Sequence, residues 1–315
     1  MNRKHIFCVI LYTLFSFSSF SQNFKAVDSI ALSYKSNYGS PKKLANQIKQ
    51  DFKTDLDRVR AIYTWMANNI SYDIQESSFP SYSYSDEEDR IQKEQEYAVR
   101  LSKRVITKKK AVCEGYSMLF RSLCDQLNIP VSVVTGASKT RTRDIGRRYN
   151  SDHAWNIVTI DNQKYLIDVT WGAKSEQPQK EAIDYSYFMT PPELFILNHY
   201  PDEYSNSLLD TKISKRVFSE KPIFYNYYPS RVTLIQPSKG TFFKGNKYTF
   251  KLKTTESIKW VSIKMGKESR SIKEFNHENG LLSFDVGVPN YANAKDVIIY
   301  VNGTPLLAYK IKQKS

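Results

Sequence analysis

Near residue 130 the hydrophobic pattern of this chain changes period, and that change limits the folds open to it. Residues 112–127 place Val112, Tyr116, Leu119, Phe120, Leu123 and Leu127 on one face of a helix. From residue 131 the apolar positions alternate instead. Segments 131–136, 153–160 and 164–171 read as strands, the last two joined by a turn at Asp161-Asn162. Helices followed by antiparallel strands predict an α+β domain, with helices packed on the sheet. Upstream, Ser40 is an N-cap and Pro41 a first helical residue, opening a helix over 41–51. Thr54 caps another helix, with Asp55 and Asp57 in its first turn and Val59, Ile62, Tyr63, Met66 and Ile70 as its stripe. Residues 76–86, rich in Ser and Tyr, read as a loop. Residues 87–104 are acidic first and basic last, which suits a helix. Residues 137–150 form a basic loop between strands, expected at the surface.

The texture shifts again at about Lys221. Short alternating runs begin at Arg231, Tyr248, Ile258, Leu281, Val297 and Leu306, separated by turns such as Lys244-Gly245-Asn246 and Asn302-Gly303. About six strands in so short a stretch predict a small β-sandwich. The 315 residues therefore divide into an α+β domain over 22–220 and a β-sandwich over 221–315.

The first 21 residues read as a secretory signal peptide. Arg3 and Lys4 precede an apolar run over 6–17, too short to span a bilayer, and Ser19-Phe20-Ser21 is a small-x-small cleavage site. The mature chain is expected to be exported, periplasmic or extracellular, with no transmembrane segment. Cleavage removes Cys8 and leaves Cys113 and Cys124. An oxidising compartment suggests a disulfide. Eleven residues along one helix, however, separate the two by about 16 Å, beyond the ~7 Å between Cα atoms that a disulfide allows. Both thiols are expected to be free.

The formal charge of +14 is uneven. Residues 22–230 hold 29 basic and 26 acidic side chains, whereas 231–315 hold 15 and 6. The excess thus sits on the predicted sandwich. No nucleic-acid motif accompanies it, so it reads as a docking surface for anionic envelope material. No His/Cys/Asp cluster has metal-ligand spacing and no Gly-rich phosphate loop follows a strand, so neither a metal nor a cofactor is expected.

One constellation suits nucleophilic chemistry. Cys113 lies where a loop becomes a helix, so the helix dipole favours its thiolate, and Gly115 permits a close approach. His153 opens one strand and Asp168 lies near the end of the next. A hairpin centred between residues 160 and 161 would place the two opposite each other, close enough for a carboxylate to hold an imidazole. After signal cleavage the histidines are His153, His199 and His277. Only His153 has such a paired acid. His199 and His277 read as structural or solvated, Cys124 as core, and Trp155 and Trp171 as either core or cleft walls.

Residues 112–124 (VCEGYSMLFRSLC), 153–160 (HAWNIVTI) and 164–172 (KYLIDVTWG) resemble the transglutaminase-like superfamily, which has a papain-like core. Within it they look like the bacterial proteins similar to kyphoscoliosis peptidase, as do 58–73 and 187–201. Tyr204-Ser205-Asn206-Ser207 departs from the pattern, standing where that family has a Trp-containing stretch. The resemblance implies a cysteine peptidase, amidase or protein-glutamine transamidase acting on a protein or peptide substrate. Cys113 would be nucleophile, His153 general base and then acid, and Asp168 the group that orients it. Trp155 and Trp171 would wall the substrate cleft. The alternative is a non-catalytic envelope binding protein or scaffold that keeps the fold.

Overall fold

The computed structural model describes residues 24–75, 85–176, 179–180, 182–225, 232–290 and 293–313. The signal peptide expected at 1–21 and most of the loop expected at 76–86 lie outside the described residues.

The chain opens with helices Lys25–Ser33 (α1), Pro41–Asp51 (α2) and Asp55–Asn69 (α3). The second and third begin where expected; the Thr54 side chain accepts the Asp57 N–H, whereas Ser40 sits at the N-cap position without a side-chain capping bond and Pro41 opens the helix. The first carries no side-chain cap and buries only Val27 and Ala31. An ion pair holds it instead. Arg60 of α3 donates two hydrogen bonds to the Asp28 carboxylate, at 2.7 and 2.8 Å, and its guanidinium faces the rings of Phe24, Tyr185 and Phe188. A partner so far along the chain leaves no trace in local periodicity. Helix α3 is buried on every side from Val59 to Ala67, which puts it in the centre of the core.

Ser71–Tyr72 (β1) and Lys110–Ala111 (β2), which follows the C-terminus of Glu87–Lys108 (α4), form a short parallel ladder. Helix α4 runs past residue 104 and stops where Lys109 turns left-handed, at φ 57°. Val112 alone separates β2 from Cys113–Gln126 (α5), so the ladder fixes where α5 starts. Gly115 serves the packing of α5 on α4. A Cβ there would fall 2.6 Å from Ala111 Cβ and 3.0 Å from Val105 Cγ2, so this space is filled by the protein, not left for a substrate.

The antiparallel sheet that α5 packs against contains Val131–Ser138 (β3), His153–Ile160 (β4) and Gln163–Ile167 (β5). A short helix Val169–Gly172 (α6) and a small hairpin, Ser175–Glu176 (β6) with Gln179–Lys180 (β7), follow. Then come Phe188–Thr190 (β8), a helical turn Pro192–Phe195 (α7) and His199–Pro201 (β9), giving the order β8-β5-β4-β3-β9.

Two expectations fail in the hairpin. Strand β5 ends at Ile167, not 171, because Asp168 leaves the ladder to cap α6: its Oδ1 accepts the Trp171 N–H at 3.0 Å. The register also differs. Ile160 pairs with Gln163 and Asn156 with Ile167, around Asp161 and Asn162 at φ 51° and 62°. Paired left-handed residues make the two-residue turn whose twist suits a hairpin. His153 therefore does not face Asp168 directly but meets it diagonally.

The basic loop after β3 exposes Arg141, Arg143, Arg147 and Arg148, as expected of a surface loop, but it is also anchored from within. Lys139 is 2% exposed, and its ammonium donates to the carbonyls of Phe218 at 2.8 Å and Lys221 at 3.2 Å. These carbonyls lie at the end of helix Lys215–Glu220 (α8) and just beyond it. Ile145 packs on Ile223 and Ala308, and the Thr142 hydroxyl donates to Asp296. The loop straps the α+β core to the C-terminal strands.

Those strands are Ile223–Phe224 (β10), Val232–Gln236 (β11), Thr241–Phe243 (β12), Lys247–Thr254 (β13), Val261–Met265 (β14), Glu268–Ile272 (β15), Phe275–Glu278 (β16), Leu281–Gly287 (β17), Asp296–Val301 (β18) and Thr304–Lys312 (β19). They form two sheets, β10-β19-β18-β14-β15 with β12 beside β19, and β11-β13-β17-β16. The sandwich core unites Phe250, Leu252, Phe284 and Val286 with Val261, Ile263, Val297 and Ile299. Phe242 stacks between Tyr248 and Tyr309. Strand β15 escaped the pattern because it is exposed almost throughout and shows no apolar alternation. Among the described residues no helix is long and apolar enough to cross a membrane.

Candidate active site

Cys113 is the first residue of α5 and 4% exposed. Its N-cap, Val112, has no side-chain oxygen to offer, so the positive helix end bears directly on the thiol. Asn156 ties this helix to the sheet. Its buried amide donates to the carbonyls of Ser117 in α5, at 3.1 Å, and Ser132 in β3, at 3.3 Å. The thiol is thereby held in register with the strand that begins at His153.

His153, 6% exposed, lies close enough to the Cys113 side chain to feel its charge, and its Nε2 lies 2.7 Å from Asp168 Oδ2. Asp168 is fully buried. Burial opposes a charged imidazole at His153, but the Asp168 carboxylate, by charge and hydrogen bond, and the Cys113 sulfur outweigh it and raise its pKa to about 10. Burial likewise opposes the Asp168 charge, yet His153 and His199 hold its carboxyl well below the usual carboxylate range.

His199 corrects the reading that only His153 has a paired acid. Of the two roles expected for it, structural or solvated, the solvated one fails. From the first position of β9 its Nε2 lies 3.0 Å from the same Asp168 Oδ2, and the ring is fully buried. Phe195 stacks on it at 3.9 Å between centroids, and Trp171 lies 4.2 Å away. Burial is the main cause that lowers its pKa to about 4, with the neighbouring His153 charge adding to it. The signal missed was the pairing of β9 with β3, where Ser138 faces His199 and Gly136 faces both Pro201 and His153.

The two tryptophans differ. Trp155 is 1% exposed and packs with Val134, Ile157, Leu166 and Phe195 behind the histidines, so it lines no open wall. Among the described residues its indole N–H has no hydrogen-bond partner. Trp171 is partly exposed and lies 5.4 Å from His153 and 5.5 Å from Tyr187 between ring centroids. Cys124 is buried in the core, where burial pushes its thiol far up, and both described cysteines are free. His277 lies in β16, in the other sheet system.

One ligand atom each from His153, Asp168 and His199 lie within 4.8 Å of one another, a spacing that an ion could occupy. The separations of 2.7 and 3.0 Å to one carboxylate oxygen are those of hydrogen bonds, so protons suffice to explain them.

Residues 42–167 match the family model of the transglutaminase-like superfamily. The chain is 30% identical over 218 residues to kyphoscoliosis peptidase of Homo sapiens, covering 65% of this chain and 30% of that protein. Against the Mus musculus kyphoscoliosis peptidase it is 30% identical over 196 residues, covering 58% and 27%. It therefore spans less than a third of the length of either relative. The crystal structure of a TGase matches at 20% identity over 50% of this chain and 35% of that one, with a TM-score of 0.24. The chain carries a transglutaminase-like domain, and the matched segment contains both Cys113 and His153 and stops one residue short of Asp168.

Proposed function

We propose that this protein is an exported thiol enzyme acting on protein or peptide amides through Cys113, His153 and Asp168. The nearness of His153 to the Cys113 side chain, backed by the 2.7 Å contact to Asp168, carries this reading. With Nε2 turned to Asp168, the other ring nitrogen serves the thiol. Proton transfer to it gives a thiolate beside an imidazolium, at the positive end of α5.

The thiolate adds to the carboxamide carbon, and the carbonyl electrons move to oxygen. The helix-end N–H groups suit that oxyanion. Collapse breaks the C–N bond as His153 gives its proton to the departing amine, leaving a thioester on Cys113. Water or an incoming amine then loses a proton to His153, attacks the thioester and releases the thiolate. Whether acid or new amide results depends on which nucleophile reaches the thioester. Asp168 keeps the imidazole oriented and stabilises its charged form throughout.

Export rests on the signal-like first 21 residues. The basic excess of the last 85 residues supports attachment to anionic envelope material, and Lys247, Lys251 and Lys253 stand on the exposed face of β13. Such attachment weakens as salt rises.

The reading is tested by iodoacetamide labelling mapped to individual cysteines across pH. Cys113 should alkylate well below the ~8.5 of a free thiol, and Cys113→Ala should abolish that label. Reactivity that begins only in the free-thiol range would overturn it.

A further inference from the structure

The Asp168 carboxylate receives three donors. The Trp171 N–H fills Oδ1 at 3.0 Å, and the Nε2 atoms of His153 and His199 converge on Oδ2 at 2.7 and 3.0 Å. The reaction proposed above uses one of the two imidazoles. The second is fully buried and stacked on Phe195, an expensive place for a polar ring with no task. We propose that His199 is a positioning residue, which as a neutral imidazole pins the Asp168 carboxylate and thereby keeps the Cys113–His153 pair ionised. The inference rests on the thiol-enzyme reading and deepens it.

The argument begins with proton counting. Two imidazoles facing one carboxylate oxygen cannot both be charged cheaply in a site this dry. His153 also meets the Cys113 sulfur, which becomes negative as it ionises, so His153 takes the charge. His199 also faces the Phe195 carbonyl, which the neutral ring leaves unserved, but its surroundings are otherwise aromatic: Phe195, Trp171, Trp155 and Tyr187. It stays neutral. Its remaining proton belongs on Nε2, because the carboxylate is a stronger acceptor than a backbone carbonyl.

A neutral donor does what a cation would not. It fills the second lone pair of Oδ2 without neutralising the charge that His153 needs. Remove it, and a carboxylate with no exposure has an unfilled acceptor site. Such a group either takes a proton or turns aside. Either change weakens the negative charge beside His153, so less imidazolium and less thiolate form. The other titratable groups facing this site are Tyr63 of α3, Tyr116 of α5 and Tyr187 before β8. All three are pushed above the ordinary tyrosine range, first by burial, and remain neutral through the acid and neutral range.

The test follows Cys113 alkylation by iodoacetamide against pH in four proteins: wild type, His199→Phe, His199→Asn and His199→Gln. Phe keeps an aromatic ring on Phe195 but has no donor, and Asn is too short to reach. Both should move the acid limb of the profile upward by about one pH unit and slow labelling at pH 6 about tenfold. Gln places an N–H where Nε2 stood and should restore most of the wild-type limb. If Phe fails to fold, the Asn–Gln contrast decides. Limbs that coincide in all folded variants, differing only in the fraction of protein that reacts, would overturn the inference and leave the thiol enzyme intact. A wild-type limb at the ordinary free-thiol position would instead overturn the enzyme reading itself.

Discussion

The imidazoles of His153 and His199 lie 5.4 Å apart, inclined at 44°, with both Nε2 atoms directed at one oxygen of Asp168. Their proton affinities are driven in opposite directions, up to about 10 and down to about 4. For His199 the sign is clear. A histidine with a lowered folded pKa binds its proton in the unfolded chain first. Its folded form therefore loses stability as pH falls from about 6.5, the unfolded value, to about 4. Urea melts at several pH values should show His199→Gln losing less stability than wild type over that window. Parallel pH dependences in the two proteins would contradict the lowered pKa.

Asp168 is the common partner, so Asp168→Asn should be worse than the loss of either imidazole contact. An amide keeps an oxygen but carries no charge for His153. The variant should lose most Cys113 alkylation at pH 6, where wild type reacts. It should also gain in relative stability below about pH 4: a carboxyl whose folded pKa is lowered contributes stability above the unfolded value and loses it as pH falls through the folded one. The checks are the labelling rate and an acid denaturation curve for both proteins.

Much of this site could be read from the sequence, and the reason is local. Cys113 was placed by a helical stripe together with the loop before it, and His153 by the first residue of an alternating run. Short-range period carries such information. Asp168 is reached in the sequence through a pairing centred between 160 and 161, although the turn read at Asp161-Asn162 centres it one residue later, as the structure has it. It still reaches His153 because it caps α6, which lies outside the ladder. His199 arrives on a strand of three residues that pairs with the far side of β3. No period can show in three residues. The same holds for the clamp of Arg60 on Asp28 and for Lys139, whose carbonyl partners lie at 218 and 221.

Gly172 closes α6 directly behind Asp168. A Cβ there would fall on the Tyr63 hydroxyl, which itself donates to the Asp184 carbonyl. Tyr63 is fully buried and has nowhere to move. Gly172→Ala should therefore destabilise the protein by about 1–3 kcal/mol through overpacking. By displacing α6 it should also slow Cys113 alkylation. Thermal melting and labelling of the same preparation check both outcomes; an unchanged midpoint would mean that Tyr63 yields.

Asn156 joins the thiol helix to the sheet, and its loss should be felt in both stability and chemistry. Replacement by Leu keeps the bulk but removes the two hydrogen bonds to the Ser117 and Ser132 carbonyls and puts an apolar group against them. Hydrogen bonds of this kind contribute about 0.5–1.5 kcal/mol each. Asn156→Leu should lower the urea midpoint accordingly and slow alkylation at pH 6, since α5 is no longer pinned to the strand that carries His153.

Lys139 makes the last prediction, away from the thiol. Its buried ammonium serves two carbonyls and a third, that of Pro222 at 3.5 Å, where the strap meets the C-terminal strands. Burial is the main cause that lowers its pKa to about 7, with the nearby Lys221 charge adding to it. Lys139→Met keeps the stem and removes the donors, which should destabilise the protein by about 2 kcal/mol or more. Because the folded pKa is lowered, the unfolded chain holds the proton longer. Wild-type stability should therefore rise relative to Lys139→Met as pH climbs from about 7 toward the ordinary lysine value near 10.4. Urea midpoints of both proteins measured from pH 6 to 10 decide it. A constant difference would mean that the three carbonyls keep the ammonium charged throughout.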